Sequence, residues 1–84
     1  MNQITVRYFA SIREAMGTGS EGLQTTAATV GALRAELMGK SEAAAQALAE
    51  GRAVRMALNQ DMCEGSAALK SGDEVAFFPP VTGG

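Results

Sequence analysis

Glu74-Val75-Ala76-Phe77-Phe78-Pro79-Pro80 is the run on which the reading of this chain turns. Its first five residues alternate, with Val75 and Phe77 on one face of a strand and Ala76 and Phe78 on the other. Neither proline can donate a backbone hydrogen bond, so the ladder must stop there and the chain must leave the sheet. Ser71-Gly72-Asp73, just upstream, is a turn signal that feeds the strand.

Working outward, Gln3-Ile4-Thr5-Val6-Arg7-Tyr8-Phe9 alternates in the same way. Ile4, Val6 and Tyr8 share the inward face, and Phe9 falls on the other. Residues 10–16 read as a short helix or turn that Gly17-Thr18-Gly19 breaks, and a weaker strand over 22–25 is expected to pair antiparallel with the first. Thr29 is a plausible N-cap for a helix over 30–38, where Val30, Leu33 and Leu37 form one apolar stripe. Gly39 ends that helix. Ser41 caps a second, alanine-rich helix expected over 42–50 and stopped by Gly51, with Ala44, Ala45 and Leu48 as its buried face. Residues 53–59 alternate again, Val54, Met56 and Leu58 inward, Arg55, Ala57 and Asn59 outward. The order strand, strand, helix, strand, strand describes an α+β roll of the ubiquitin type (β-grasp). Its mixed sheet has four to five strands, packed against one main helix plus short helices. The body occupies residues 1–78, and residues 79–84 form an extended tail.

Composition narrows the chemistry. The chain has 84 residues, 46% apolar and 19% charged, with seven Lys/Arg against nine Asp/Glu, no histidine and one cysteine. That is one domain, burying roughly 60% of its unfolded surface. A net charge of −2 offers no basic field for a phosphate backbone, which argues against nucleic acid. Without histidine, no Cys/His zinc site and no Ser-His or Cys-His nucleophile pair can be built. No signal-peptide pattern and no apolar run of about 20 residues appears, so a cytoplasmic protein without membrane partners is expected.

The tail is the part that does not read as structural. Pro79-Pro80 project Val81-Thr82-Gly83-Gly84 away from the sheet in extended form, with a reach of at most ~14 Å beyond Pro80. Fraying is the commonest fate of chain ends. Yet a tail without use needs no stiffening by two prolines, and a side-chain-free glycine thread suits entry into another protein's site. A terminal carboxylate at Gly84 is a poor electrophile until activated, for instance as an anhydride with a nucleotide. On this reading the tail is a substrate for other proteins. Phe9 and Phe78 lie on the face away from the helix, and Met62 can extend them into a partner patch. The alternative is that the two rings simply stack on each other or sit under a loop.

Several stretches together carry a resemblance. Val6-Arg7-Tyr8-Phe9-Ala10-Ser11-Ile12-Arg13-Glu14, Thr29-Val30-Gly31-Ala32-Leu33-Arg34, Ala57-Leu58-Asn59-Gln60 and the closing run from Ser71 to Gly84 are similar to the molybdopterin synthase small subunit family. The likeness spans the whole chain and is least diagnostic over residues 40–52. It implies a β-grasp sulfur carrier of molybdenum cofactor biosynthesis, with catalytic side chains supplied by its partners and no permanently bound cofactor. An E1-like adenylyltransferase would use ATP to adenylate Gly84, next to Gly83. A sulfur donor enzyme would then replace AMP to leave a thiocarboxylate. The tail would enter the large synthase subunit, in a heterotetramer, and give its sulfur to cyclic pyranopterin monophosphate. Phe9, Met62 and Phe78 match the family's hydrophobic partner contact, with Pro79, Pro80, Val81 and Thr82 leading from it; the family often has leucine at the Met62 position.

Other features read as structure. Gly39-Lys40-Ser41 mimics the end of a phosphate-binding loop, but Arg34 stands where that loop needs glycine, and a helix precedes it. Cys63 lacks a neighbouring base and reads as an inert loop thiol. Asp61 with Glu64, and Asp73 with Glu74, read as solvated loop and turn positions rather than metal ligands. Three rival functions remain: a thiamine-pathway or other β-grasp sulfur carrier, a ubiquitin-like modifier that forms isopeptide bonds, and a non-covalent binding module with an incidental tail.

Overall fold

The structure is a computed structural model that describes residues 1–49 and 53–80. Five strands form one sheet in the order β2-β1-β5-β3-β4. They are β1 (Asn2–Tyr8), β2 (Ser20–Thr25), β3 (Arg55–Leu58), β4 (Asp61–Cys63) and β5 (Glu74–Phe78), with helices α1 (Ala10–Met16), α2 (Val30–Met38) and α3 (Glu42–Ala47) between them. The expected α+β roll is present. The last strand sits in the centre, parallel to β1 and antiparallel to β3, with Val6 opposite Val75 and Met56 opposite Phe77. β1 and β2 pair antiparallel, as expected, with Ile4 opposite Leu23.

The alternation places the core. Ile4, Val6, Tyr8, Val75 and Phe77 are buried on the inner face and meet Val30, Leu33 and Leu37 of α2 in one cluster. The Tyr8 and Phe77 rings stack with centroids 6.3 Å apart. The Tyr8 hydroxyl donates to Glu21 Oε2 at 2.8 Å. Burial first, then the hydrogen bond to and charge of Glu21, push the Tyr8 pKa up. That hydroxyl therefore stays protonated and keeps its bond.

The entrance to α2 explains a close approach of two backbones. A helix start leaves four N–H groups without intrahelical partners. Here Val30 N–H donates to Ala67 O at 3.0 Å and Gly31 N–H to Gly65 O at 2.8 Å, while the expected cap at Thr29 takes Ala32 N–H at 3.1 Å. The loop over 65–67 thus closes the helix end. A Cβ at position 31 would lie 3.0 Å from Gly65 O and 3.3 Å from Gly65 Cα. Both are backbone atoms that cannot swing aside.

Five expectations need correction. The alanine-rich helix stops at Ala47 rather than running over 42–50; Glu50 and Gly51 lie outside the described residues. Buried Arg34 explains the early end, since its Nε donates to Leu48 O at 2.7 Å and an Nη to Ala49 O at 2.8 Å. These bonds satisfy carbonyls past the last turn, as a basic side chain at a helix C-terminus can. Leu48 and Ala44 are buried as expected, but Ala47 rather than Ala45 completes the face. β4 is a strand where a polar loop was expected, so Cys63 lies in a ladder opposite Met56 rather than in a loop, half-buried, its thiol pKa pushed up by burial. Finally, Phe9 has left β1 and serves as the N-cap residue of α1, and β2 begins two residues earlier than read, at Ser20.

The substitution Gly31→Ala separates helix propensity from this close contact. Propensity alone favours alanine by about 1 kcal/mol. The backbone clash outweighs it, for a net loss of about 1–2 kcal/mol and a fall in Tm of roughly 4–8 °C per kcal/mol. Gly65→Ala, whose Cβ would sit 3.4 Å from Gly31 Cα, changes Tm less. Thermal unfolding of both variants checks this, and a raised Tm for Gly31→Ala contradicts it.

Candidate functional site: an apolar groove at the root of the tail

The sheet's outer face carries the residues that the inward pattern left over. Across its middle, Met62 of β4 lies opposite Ala57 of β3, Ala57 opposite Ala76 of β5, and Ala76 opposite Arg7 of β1. Two alanines in adjacent strands make a low floor. Around it rise Phe9, Phe78 and Met62, with Pro79 and Pro80 at one end. Ala57 was expected outward and is, yet it is buried, because the taller residues around it keep water off. Its inward neighbours Met56 and Leu58 are only half-buried, since β3 is one strand from the sheet edge and β4 is short.

The two phenyl rings stack on each other, as the structural alternative expected. Phe9 and Phe78 meet edge to face, centroids 6.5 Å apart and planes at 87°. Phe9 stays 41% exposed while Phe78 is half-buried, and Met62 beside them is 60% exposed. The Arg7 guanidinium carbon lies 5.5 Å from the Phe9 centroid, and its Nη1 is 4.0 Å from Glu74 Oε2. At such exposure these contacts are worth at most about 1 kcal/mol each and leave Arg7 free to move.

Left-handed backbone gathers here too. Among the described residues the non-glycine positions of positive φ are Ala10 (51°), Asn59 (51°) and Gln60 (73°), and Ala10 and Gln60 line the groove. Such conformations cost of order 1 kcal/mol or more and persist where the surroundings hold them. Asn59 and Gln60 form the two-residue connection between β3 and β4. Asn59 Nδ2 donates to Asp73 Oδ1 at 3.0 Å, and Glu74 N–H donates to Asn59 Oδ1 at 2.9 Å. Asp73 Oδ2 accepts Lys70 N–H at 2.9 Å. Asp73 is therefore buried and fully engaged, not a solvated turn residue. The sequence carried no sign of this, because its partner comes from a hairpin 14 residues away. Glu74 is half-buried, and Asp61 and Glu64 are exposed as expected. Among the described residues no three His, Cys, Asp or Glu side chains group to hold a metal ion. No helix among them is long and apolar enough to cross a membrane.

The structure thus brings Phe9, Met62, Phe78, Pro79 and Pro80 together at one groove. Val81, Thr82, Gly83 and Gly84, the other residues singled out in the sequence, lie outside the described residues.

A five-stranded mixed sheet with first and last strands side by side, covered on one face by a central helix, defines a ubiquitin-like β-grasp protein. Residues 6–84 match the ThiS family, and the chain belongs to it. It is 43% identical over 81 residues to the molybdopterin synthase sulfur carrier subunit of Escherichia coli, a match covering 96% of this chain and 99% of that one. Among solved structures it resembles the complex of subunits 1 and 2 of the molybdopterin-converting factor from Helicobacter pylori. There the TM-score is 0.69 and identity 28%, with 98% of this chain and 99% of that chain covered. It also resembles small archaeal modifier protein 1 from Methanosarcina acetivorans, with TM-score 0.79, identity 27%, and 100% and 98% coverage.

Asp73 gives the groove's support a pH signature. The Asn59 hydrogen bond first, then the Lys70 N–H, hold its carboxyl below the usual range, against an opposing effect of burial. A depressed folded pKa means the contribution to stability is full above the unfolded value of about 4 and is lost as pH falls through the folded one. Denaturant unfolding between pH 7 and pH 2 should show a stability gap between the parent chain and Asp73→Asn that narrows below about pH 4. A gap independent of pH contradicts this account.

Proposed function

We propose that this protein is the sulfur carrier subunit of molybdopterin synthase, working in the cytoplasm with Gly84 as its reactive end. An E1-like adenylyltransferase joins the Gly84 carboxylate to the AMP portion of ATP and releases pyrophosphate. A sulfur nucleophile from a donor enzyme displaces AMP and leaves a thiocarboxylate. The tail then enters the large synthase subunit, in a heterotetramer. There the sulfur passes to cyclic pyranopterin monophosphate, and water restores the carboxylate. A thiocarboxylate is an anionic sulfur nucleophile that needs no cysteine or histidine from the carrier, in keeping with a chain that has no histidine and one cysteine.

The observation that carries this reading is the exit of the central strand. β5 ends at Phe78, and Pro79-Pro80 stand at the end of the apolar groove, so whatever docks on the groove meets the start of the tail. The names of its relatives support the same reading: the E. coli protein is a sulfur carrier subunit, and the H. pylori structure pairs subunits 1 and 2. Phe9, Met62 and Phe78 hold the body, while Pro79, Pro80, Val81 and Thr82 deliver the two glycines.

Similarity to small archaeal modifier protein 1 favours a second reading, in which the activated Gly84 forms isopeptide bonds with lysines of other proteins. Higher-mass conjugates in cell extract that vanish on deletion of Gly84 would select it.

Two measurements test the first reading. Intact mass after incubation with the activating enzyme, ATP and a sulfur donor should rise by one oxygen-to-sulfur exchange, and a residue appended after Gly84 should abolish the change. An unshifted mass on the unextended chain overturns the reading. Separately, Phe9→Ala should weaken binding to the organism's own large synthase subunit by about tenfold or more. Melting should change little, because the ring is surface-exposed; unaltered affinity removes the groove from the interface.

A further inference from the structure

We propose that the bonded pair Asn59–Asp73 is a clasp that sets the position of the Met62 wall of the groove, which makes Asn59 a positioning residue for partner docking. The inference rests on the docking reading above.

Met62 is weakly placed by its own strand. β4 has three residues, lies at the sheet edge, and pairs only with β3. The connection that returns the chain to it is two residues long with both in the left-handed region. That is the favoured hairpin geometry, but its second position ordinarily takes glycine, and here it is Gln60. Local preference therefore supports the turn at Asn59 but not at Gln60.

Asn59 supplies the missing restraint three times over. Its backbone N–H donates to Glu74 O at 2.8 Å, its Oδ1 accepts Glu74 N–H, and its Nδ2 donates to Asp73 Oδ1. Asp73 is 4% exposed, and its other oxygen is fixed by Lys70 N–H. Asp73 Oδ1 is thus an acceptor anchored on a second loop. Asp73 directly precedes β5, and the far end of β5 carries Phe78. Through the clasp, the Met62 wall and the Phe78 wall are referred to the same strand.

Between Ala57 and Leu69 no residue is fully buried, and Leu58, Cys63 and Ala67 pack only partly buried against the core. Among the described residues Met62 is the most exposed large apolar side chain after Met1. Beyond those partial contacts, the clasp fixes an exposed side chain and its distance from two others.

A double-mutant cycle separates positioning from general stabilisation. Asn59→Gly keeps the left-handed turn at little cost and removes both side-chain bonds. Binding to the organism's large synthase subunit is measured for the parent, Asn59→Gly, Met62→Ala and the double variant. Asn59→Gly should weaken binding about fivefold and Met62→Ala about tenfold. The double variant should bind within about twofold of Met62→Ala alone, because coupled residues are non-additive. Losses that multiply, or an Asn59→Gly chain that binds like the parent, overturn the clasp and leave the groove standing. A Met62→Ala chain that binds like the parent overturns Met62 as a docking contact, and the clasp proposal with it.

Amide hydrogen exchange gives a reading that needs no partner. In Asn59→Gly, or in Asp73→Asn if the first variant folds poorly, exchange should quicken in the β3–β4 ladder and stay unchanged in the β1–β5 ladder. Unchanged exchange in both ladders, or equal acceleration in both, counts against the proposal.

Discussion

The parallel pairing of β1 with β5 is the constraint on which the rest of this molecule depends. It sets Thr5 against Glu74, Val6 against Val75, Arg7 against Ala76 and Tyr8 against Phe77. Parallel neighbours need a crossover, and all the intervening chain supplies it. The consequence is that the strand nearest the chain's end lies in the middle of the sheet. Its inner side chains, Val75 and Phe77, are fully buried, so β5 cannot peel away without opening the core. A tail attached to that strand therefore has a fixed origin.

The same pairing makes the two faces of the sheet differ in kind. On the inner face large residues pack against α2. On the outer face the register brings Ala57 and Ala76 side by side and leaves larger residues around them. Small residues at the centre of an exposed sheet cost apolar burial within the chain. They leave a concavity, and the residues of strained backbone, Ala10 and Gln60, stand at its margin.

How far the sequence discloses this follows from how local each signal is. Period-two alternation over 3–9 and 74–78 identifies β1 and β5 and assigns Phe9 and Phe78 to the outer face. Thr29 and Ser41 announce caps that form as read, with Ser41 Oγ accepting Ala44 N–H at 3.0 Å. What stays hidden depends on residues distant in sequence or on an element too short to carry a period. The end of α3 is set by Arg34 from another helix. β4 is three residues long, too short for any period to show. Asp73 looks like an ordinary turn acid until Asn59 arrives across the sheet. Two of these misses are a distant partner overriding a local preference and one is an element too short to show, and two of the three involve the hairpin that carries Met62.

On the proposed function, this architecture also limits what the groove can sense. Its residues are held by the sheet and by the Asn59–Asp73 bond, and the chemistry takes place on Gly84, beyond Pro80 by up to ~14 Å of chain. A binding surface shifts an equilibrium only by its differential affinity for two states. A groove whose shape does not change when the distant carboxylate becomes a thiocarboxylate binds both forms equally. It follows that discrimination between loaded and spent carrier must come from contacts with the last atoms of the tail. If the groove bound very tightly, it would hold the spent form as firmly as the loaded one and slow each exchange. A shallow floor of two alanines, walled by three partly exposed side chains, suits a carrier that must let go of one partner to reach the next.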